Sequence, residues 1–486
     1  MKTPMKTNTA PRPLRSAQRF TWHGLSALAL AVLSACAVVP PHAPQGRLIT
    51  PEQTGLGSVS ASFALQNQWW QDFKDPQLDA LIERALADSP SLSLARARLA
   101  RAAAASDAAG ANELPSAGLG VDATRQRFSE HGLYPPPLAG SVRNTATIQA
   151  SLNYDVDFFG RHKAELEAAL GRERAASAEQ AYARLLLASQ LTHSYLSLAR
   201  VLAQRELLGA QLQTREQALA LTRQRTEAGL DTAVELRGAE SPLPELRRQQ
   251  VLLAEQAELL RHQLAALSAQ SPDATAGLSP SLPEGSLQGL GNQVALGLDL
   301  LGRRPDVVAA RWRVEASTQD VSTARTQFYP NVSLTAFAGF SSIGFDQLLK
   351  SGSYQAGFGP SLRLPLFEGG RLRAQLRGSV AEQDAAIATY NSTVLEAVRD
   401  ASDQLSSLQS QQRQRAEQEA LLRNAQASLD LATQRYAAGL GTQLPVLNAR
   451  QQLLQQRRQA LDLRAQTLDA QVSLARSLGG AAELPR

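Results

Sequence analysis

The chain carries a single cysteine, Cys36, among 486 residues, so no disulfide can form within it. Aromatic residues are scarce, at 5%. The hydrophobic fraction of 43% is largely Ala and Leu, set among Arg, Gln and Glu. Such a composition suits long helices with narrow apolar seams. Beyond the N-terminus no apolar stretch is long enough to span a bilayer as a helix, so any further membrane crossing must use strands. The six histidines are scattered. The nearest carboxylate pairs, Asp155/Asp157 and Asp400/Asp403, stand beside no metal or nucleophile motif. An enzyme reading has nothing to rest on, and no cofactor or metal is expected. The net charge of +5 comes mostly from Arg and is spread out, which argues against a nucleic-acid partner.

What is present begins with a targeting segment. Lys2, Lys6, Arg12, Arg15 and Arg19 precede a short apolar core from Gly24 to Leu33. That core is too short for a stable span and reads as an export signal covering residues 1–35. Leu33-Ser34-Ala35-Cys36 resembles the bacterial lipobox. The resemblance implies N-palmitoyl and S-diacylglycerol groups on Cys36 at the head of the mature chain, and hence a lipid anchor. Ala37 follows, where an Asp would point to retention in the inner membrane. Residues 36–68 are rich in Pro, Gly, Ser and Thr and read as a lipidated, extended leader.

From Trp69 onward a pattern runs through the chain and then begins again. In the first pass, 69–270, short helices lead to a hairpin at 115–159 and a long helical hairpin at 161–270. Ala146, Ile148, Ala150, Leu152, Tyr154 and Val156 alternate with polar residues, which is the period of a half-buried strand. Leu191, Leu198, Leu212 and Leu219 mark a heptad ladder in the outgoing helix, and Pro242 and Pro244 kink the return. A Pro/Gly/Ser-rich link at 271–291 follows. The second pass, 292–480, repeats the order with a hairpin at 330–368 and a helical hairpin at 371–479, leaving a tail at 481–486. The second hairpin's last strand is expected to reach Leu366. Gly160-Arg161 and Gly370-Arg371 are 210 positions apart, and so are Gly229-Leu230 and Gly439-Leu440. Equal offsets at both ends of a long helix predict a tandem duplication. Ile387, Val394, Ala401, Leu408, Leu422, Leu429 and Tyr436, then Leu447, Leu454, Leu461, Leu468 and Ala475, predict coiled-coil packing in the second hairpin.

Four amphipathic strands of about 10–12 residues are long enough to cross an outer membrane when tilted. In lipid they must close into a barrel, and even the smallest barrels use about eight strands. The chain is therefore expected to pool its strands with copies of itself. A homotrimer gives a β-barrel of twelve strands, continuous with an α-helical barrel built from six hairpins. Asp155 and Asp157, if they face the lumen, would favour cations. The competing readings are four strands of a soluble sandwich and a structural coiled-coil lipoprotein that spaces membranes. The period-two strands count against the spacer, and the lipobox and long hairpins against the sandwich.

Several motifs carry a family resemblance that runs from Trp69 to Gly480. They are Trp69-Trp70-x-x-Phe73-x-Asp75-Pro76-x-Leu78, Pro242-Leu243-Pro244-Glu245, Leu301-x-Arg303-Arg304-Pro305-Asp306-Val307, Phe328-Tyr329-Pro330 and Leu364-Pro365-Leu366-Phe367-x-Gly369-Gly370-Arg371. With the two tip motifs they resemble the outer-membrane factors, the TolC-like channels, and within them the lipoprotein branch that serves multidrug efflux. The resemblance implies an outer-membrane, lipid-anchored exit duct reaching into the periplasm, with a periplasmic adaptor and an inner-membrane pump as partners. A duct for type I protein secretion is the alternative. It further implies a periplasmic aperture at Leu444, Asn448 and Gln451, where Asn448 replaces an Asp common in the family. Tyr436 and Glu235 match a latch that holds the closed state. Gly229, Leu230, Gly439 and Leu440 fall at tips where the adaptor docks.

Overall fold

The computed structural model describes residues 43–54, 67–283, 287 and 302–480. Cys36, the export signal, most of the leader, Leu301 and the tail at 481–486 lie outside the described residues, as does much of 284–301. The order of elements follows the sequence pattern. Helices α1 (Pro76–Asp88) and α2 (Pro90–Ala111) lead to strands β1 (Ser116–Arg127) and β2 (Val142–Val156). Helix α3 (Arg161–Glu227) returns through α4 (Ala233–Glu240) and α5 (Pro242–Leu267). The second pass comprises α6 (Pro305–Thr326), β3 (Asn331–Ile343), β4 (Tyr354–Arg363), α7 (Arg371–Ala437) and α8 (Leu444–Ser477). Pro90 and Pro305 open corresponding helices 215 positions apart, while Arg161 and Arg371 open theirs 210 apart. The difference arises within the strand hairpin, mainly because 344–353, which joins β3 to β4, is shorter than 128–141, which joins β1 to β2.

The chain folds as two compact units. One takes in Ala108–Ala168 and Ser317–Asp384, and the other Gly46–Asp107, Ala169–Ala316 and Ala385–Arg486. The first holds a single antiparallel sheet in the order β1-β2-β3-β4. Its register aligns the apolar set of every strand. Val121 faces Ile148, Ile148 faces Phe340, and Phe340 faces Tyr354. One row along, Asp122 faces Thr147 and Thr147 faces Ser341, with 3.1 Å between the two hydroxyls. Because side chains alternate across a strand, this register gathers one apolar and one polar face. The apolar face is bare, with Leu119, Val121, Phe358 and Leu362 all exposed. β4 stops at Arg363, short of the expected Leu366. Arg363 pairs with Asn331, the first residue of β3, so the partner strand offers nothing to face Leu364–Leu366.

The second unit contains the main apolar core. Trp69, Leu78 and Ile82 pack with Leu191, Tyr195, Leu198, Leu264, Val472 and Leu474, all fully buried. Asp75 caps α1 by accepting from the backbone N–H of Gln77 and Leu78. The described part of the 271–291 link is pinned rather than loose. Arg261 on α5 donates through Nε and Nη2 to the Leu278 carbonyl at 3.2 and 3.0 Å, and Leu287 N–H donates to Gln471 at 3.2 Å. Residues of the leader are likewise held, since the Asn391 side chain on α7 bonds both Ile49 N–H and the Arg47 carbonyl.

The long helices α3 and α7 each have 67 residues, about 100 Å at 1.5 Å per residue. No proline interrupts either one, and both are rich in Ala, Leu, Arg, Gln and Glu, which favour helix. The apolar ladder of α7 is buried at Ile387, Val394 and Ala401, and exposed by Tyr436. Its seam therefore thins toward the tip. Among the described residues no helix is long and apolar enough to cross a membrane.

Candidate functional site

At the far ends of α3 and α7 the chain makes the same turn twice. Gly229 and Gly439 both have φ of 71°, a left-handed conformation that glycine adopts at no steric cost. Leu230 N–H donates to the Arg225 carbonyl at 2.8 Å, and Leu440 N–H to the Arg435 carbonyl at 2.9 Å. These bonds close the last helical turn and satisfy carbonyls that the helix leaves open. The two leucines are left 67% and 70% exposed. Each turn thus leaves one apolar side chain in solvent at the end of a long helix.

The side chains around the turns differ. At the first tip Arg225 grips Asp231 in a fork, with Nε and Nη2 each 2.8 Å from a carboxylate oxygen. That grip holds the Asp231 carboxyl below the ordinary aspartate range. Thr232 then caps α4, and Glu235 completes a capping box by accepting from Thr232 N–H at 2.8 Å and from its hydroxyl. At the second tip Gly441 stands where the first has Asp231. Helix α8 starts there without a side-chain cap, with Pro445 in its first turn.

The sequence-expected latch is not formed here. Glu235 is held in its own capping box, and the Tyr436 ring is 45% exposed with no hydrogen bond to it among the described residues. The expected aperture residues occupy consecutive turns of α8, with Leu444 half-buried and Asn448 exposed. Gln451 instead donates to the Gln211 carbonyl on α3 at 2.7 Å, which ties the second helical hairpin to the first.

Asp155 and Asp157 also differ from expectation. Asp157 accepts from the backbone N–H of Arg161 at 2.6 Å and of Lys163 at 3.0 Å, which caps α3. Asp155 lies 3.3 Å from Arg161 Nη2. Asp155 is thus paired with a guanidinium, while Asp157 keeps its charge at the start of the helix.

One arrangement escaped the sequence, because His193 lies 276 and 280 positions from its two partners. His193 on α3 bonds Asp469 on α8 through Nδ1, while Nε2 lies 3.4 Å from the Ser473 hydroxyl. The order of atoms is that of a Ser-His-Asp triad. Asp469 and Ser473 sit one turn apart within an unbroken helix, however, where backbone N–H groups are spent on helical bonds. These contacts tie α3 to α8.

The comparisons with known proteins agree with this architecture. The model of the family described as "Outer membrane efflux protein" matches residues 81–270 and again 296–480. The multidrug resistance outer membrane protein MdtP of Escherichia coli is 33% identical over 92% of this chain and 94% of its own length. The pyoverdine export outer membrane protein OpmQ of Pseudomonas aeruginosa is 32% identical over 94% and 96%. Among solved structures, the outer membrane protein VceC of Vibrio cholerae superposes with a TM-score of 0.79 at 35% identity. It covers 86% of this chain and 100% of its own. A family match in both halves, full-length relatives and a shared fold lead to one conclusion: this chain belongs to the outer membrane efflux protein family.

Proposed function

We propose that this chain is the outer-membrane exit duct of a tripartite efflux system. It assembles as a trimer, anchored by lipid on Cys36, and passes solutes outward when an adaptor joins it to an inner-membrane pump. The observation that carries the reading is the sheet. Its register gathers most apolar residues of the four strands on one face, Phe337 and Ile343 excepted, while β1 and β4 remain open edges. Four alternating strands leave edges running in opposite directions, so β4 of one copy can pair antiparallel with β1 of the next. Three copies give twelve strands, with the apolar face to lipid and the polar face around a lumen. The two element sets, read as tandem copies, supply six hairpins for a helical barrel. Leu444 and Asn448 form the periplasmic aperture in this reading. Closure by Tyr436 would require Glu235 to leave its capping box.

Extraction of the protein from outer membranes in mild detergent tests the assembly. A particle of three chains, elongated beyond about 100 Å by the helix length, is expected. A monomer or dimer would leave the strands unable to close in lipid and would return the spacer reading.

A further inference from the structure

The two tips of one chain are built on the same turn yet differ in what answers the arginine at its start. At the first, Arg225 is saturated by Asp231 in a two-bond fork. At the second, Arg435 occupies the matching place, but the carboxylate is missing because position 441 is glycine. Among the described residues no hydrogen bond or ion pair engages the Arg435 side chain, which is exposed. A Cβ built on Gly441 would meet nothing within 4 Å, so the space that Asp231 fills at the first tip is open at the second. Tyr436 and Leu440, 45% and 70% exposed, flank it.

We infer that Arg435 receives an aspartate or glutamate carboxylate from the adaptor, in the place that Asp231 occupies at the first tip. The inference rests on the adaptor-docking function proposed above. The first tip supplies the template for the contact, a carboxylate held by Nε and Nη2 at the end of a long helix. Guanidinium favours this planar, two-bond recognition of a carboxylate, which lysine cannot reproduce. The two tips are then unequal ligands. The first engages an adaptor through Leu230 and its backbone turn, and the second adds a charge-specific bond that fixes which hairpin meets which adaptor.

The test supplies the missing carboxylate from within. Gly441→Asp places an acid where Asp231 stands in the other tip, and Gly441→Asn is its uncharged match. Both variants are expressed in a host carrying the cognate system. Trimer formation, single-channel conductance in planar bilayers and efflux-dependent resistance are then measured. Gly441→Asp is expected to form normal trimers of unchanged conductance and to lose resistance about tenfold, the scale of one lost charged contact. Gly441→Asn is expected to keep it. Arg435→Glu is expected to lose export and to regain it through acid-to-base substitutions in the adaptor. Normal export by Gly441→Asp, or equal loss in Gly441→Asn, overturns the inference while leaving the exit-duct function standing. So does altered conductance or trimer yield in Gly441→Asp, which would assign the carboxylate to a neighbouring copy of this chain. If the unaltered chain forms trimers but supports no export, the proposed function falls and this inference with it.

Discussion

The hydroxyl of Tyr195, fully buried on α3, donates to Asp75 at 2.7 Å, the residue that also caps α1. One carboxylate thus serves a helix cap and a buried phenol 120 positions away. Burial first, and then the bond to Asp75, push the Tyr195 phenol above its ordinary value of 10.0. Tyr195→Phe removes a hydrogen bond to a charged group and is expected to destabilise the fold by about 1.5–3 kcal/mol, read as a lower thermal midpoint of the detergent-solubilised protein. The pH dependence follows from the raised value. Stability from the neutral phenol is complete below pH 10 and declines above it, because the unfolded chain ionises first. The difference between the parent and Tyr195→Phe should therefore shrink above about pH 10. A difference that holds flat there would mean that another group carries the effect.

In the sheet, a Cβ at Gly339 would press on the Ile148 carbonyl oxygen and stand 2.7 Å from Gln149 Cα, whereas one at Gly359 would meet nothing within 4 Å. Gly339→Ala is expected to push β3 off β2 and abolish insertion into the outer membrane. Gly359→Ala should insert normally. Heat-modifiability on gels and protease resistance of the membrane fraction report both outcomes, and equal behaviour of the two variants would count against the observed register.

Leu444 and Asn448 sit one turn apart on α8, and the proposed aperture makes separate demands on them. Leu444→Ser should raise single-channel conductance by wetting an apolar constriction. Asn448→Asp should leave conductance similar and shift selectivity toward cations, seen as a moved reversal potential in a salt gradient. Conductance unaffected by Leu444→Ser would place the narrowing elsewhere.

Cys36 bears directly on the anchor. Mass spectrometry of the mature protein should find the added mass of three acyl chains with glycerol on a chain that begins at Cys36. Cys36→Ser should carry none. Uncleaved, unmodified protein would remove the lipid from the proposed function.

Much of the fold was legible because it is written in periods. Alternation from Ala146 to Val156 specified a strand with two different faces, and the spacing of Arg161 and Arg371 placed two helices whose ends match to the residue. Gly229 and Gly439 were readable as turns because a left-handed residue after a long helix is a local requirement. Local signals also misled, as where apolar Leu364 and Leu366 extended β4 past Arg363, beyond which β3 has no residue to pair with it. What only the tertiary structure decided are partnerships across long separations. Tyr195 with Asp75, Asn391 with the leader, and His193 with Asp469 and Ser473 leave no periodic trace, because each needs just one complementary side chain brought close by packing. The same holds for the charges. Sequence alone offered Asp155 and Asp157 as lumen-facing charges and Glu235 as the partner of Tyr436. Their neighbours Arg161 and Thr232, and the open backbone N–H groups at the starts of helices, were what claimed them.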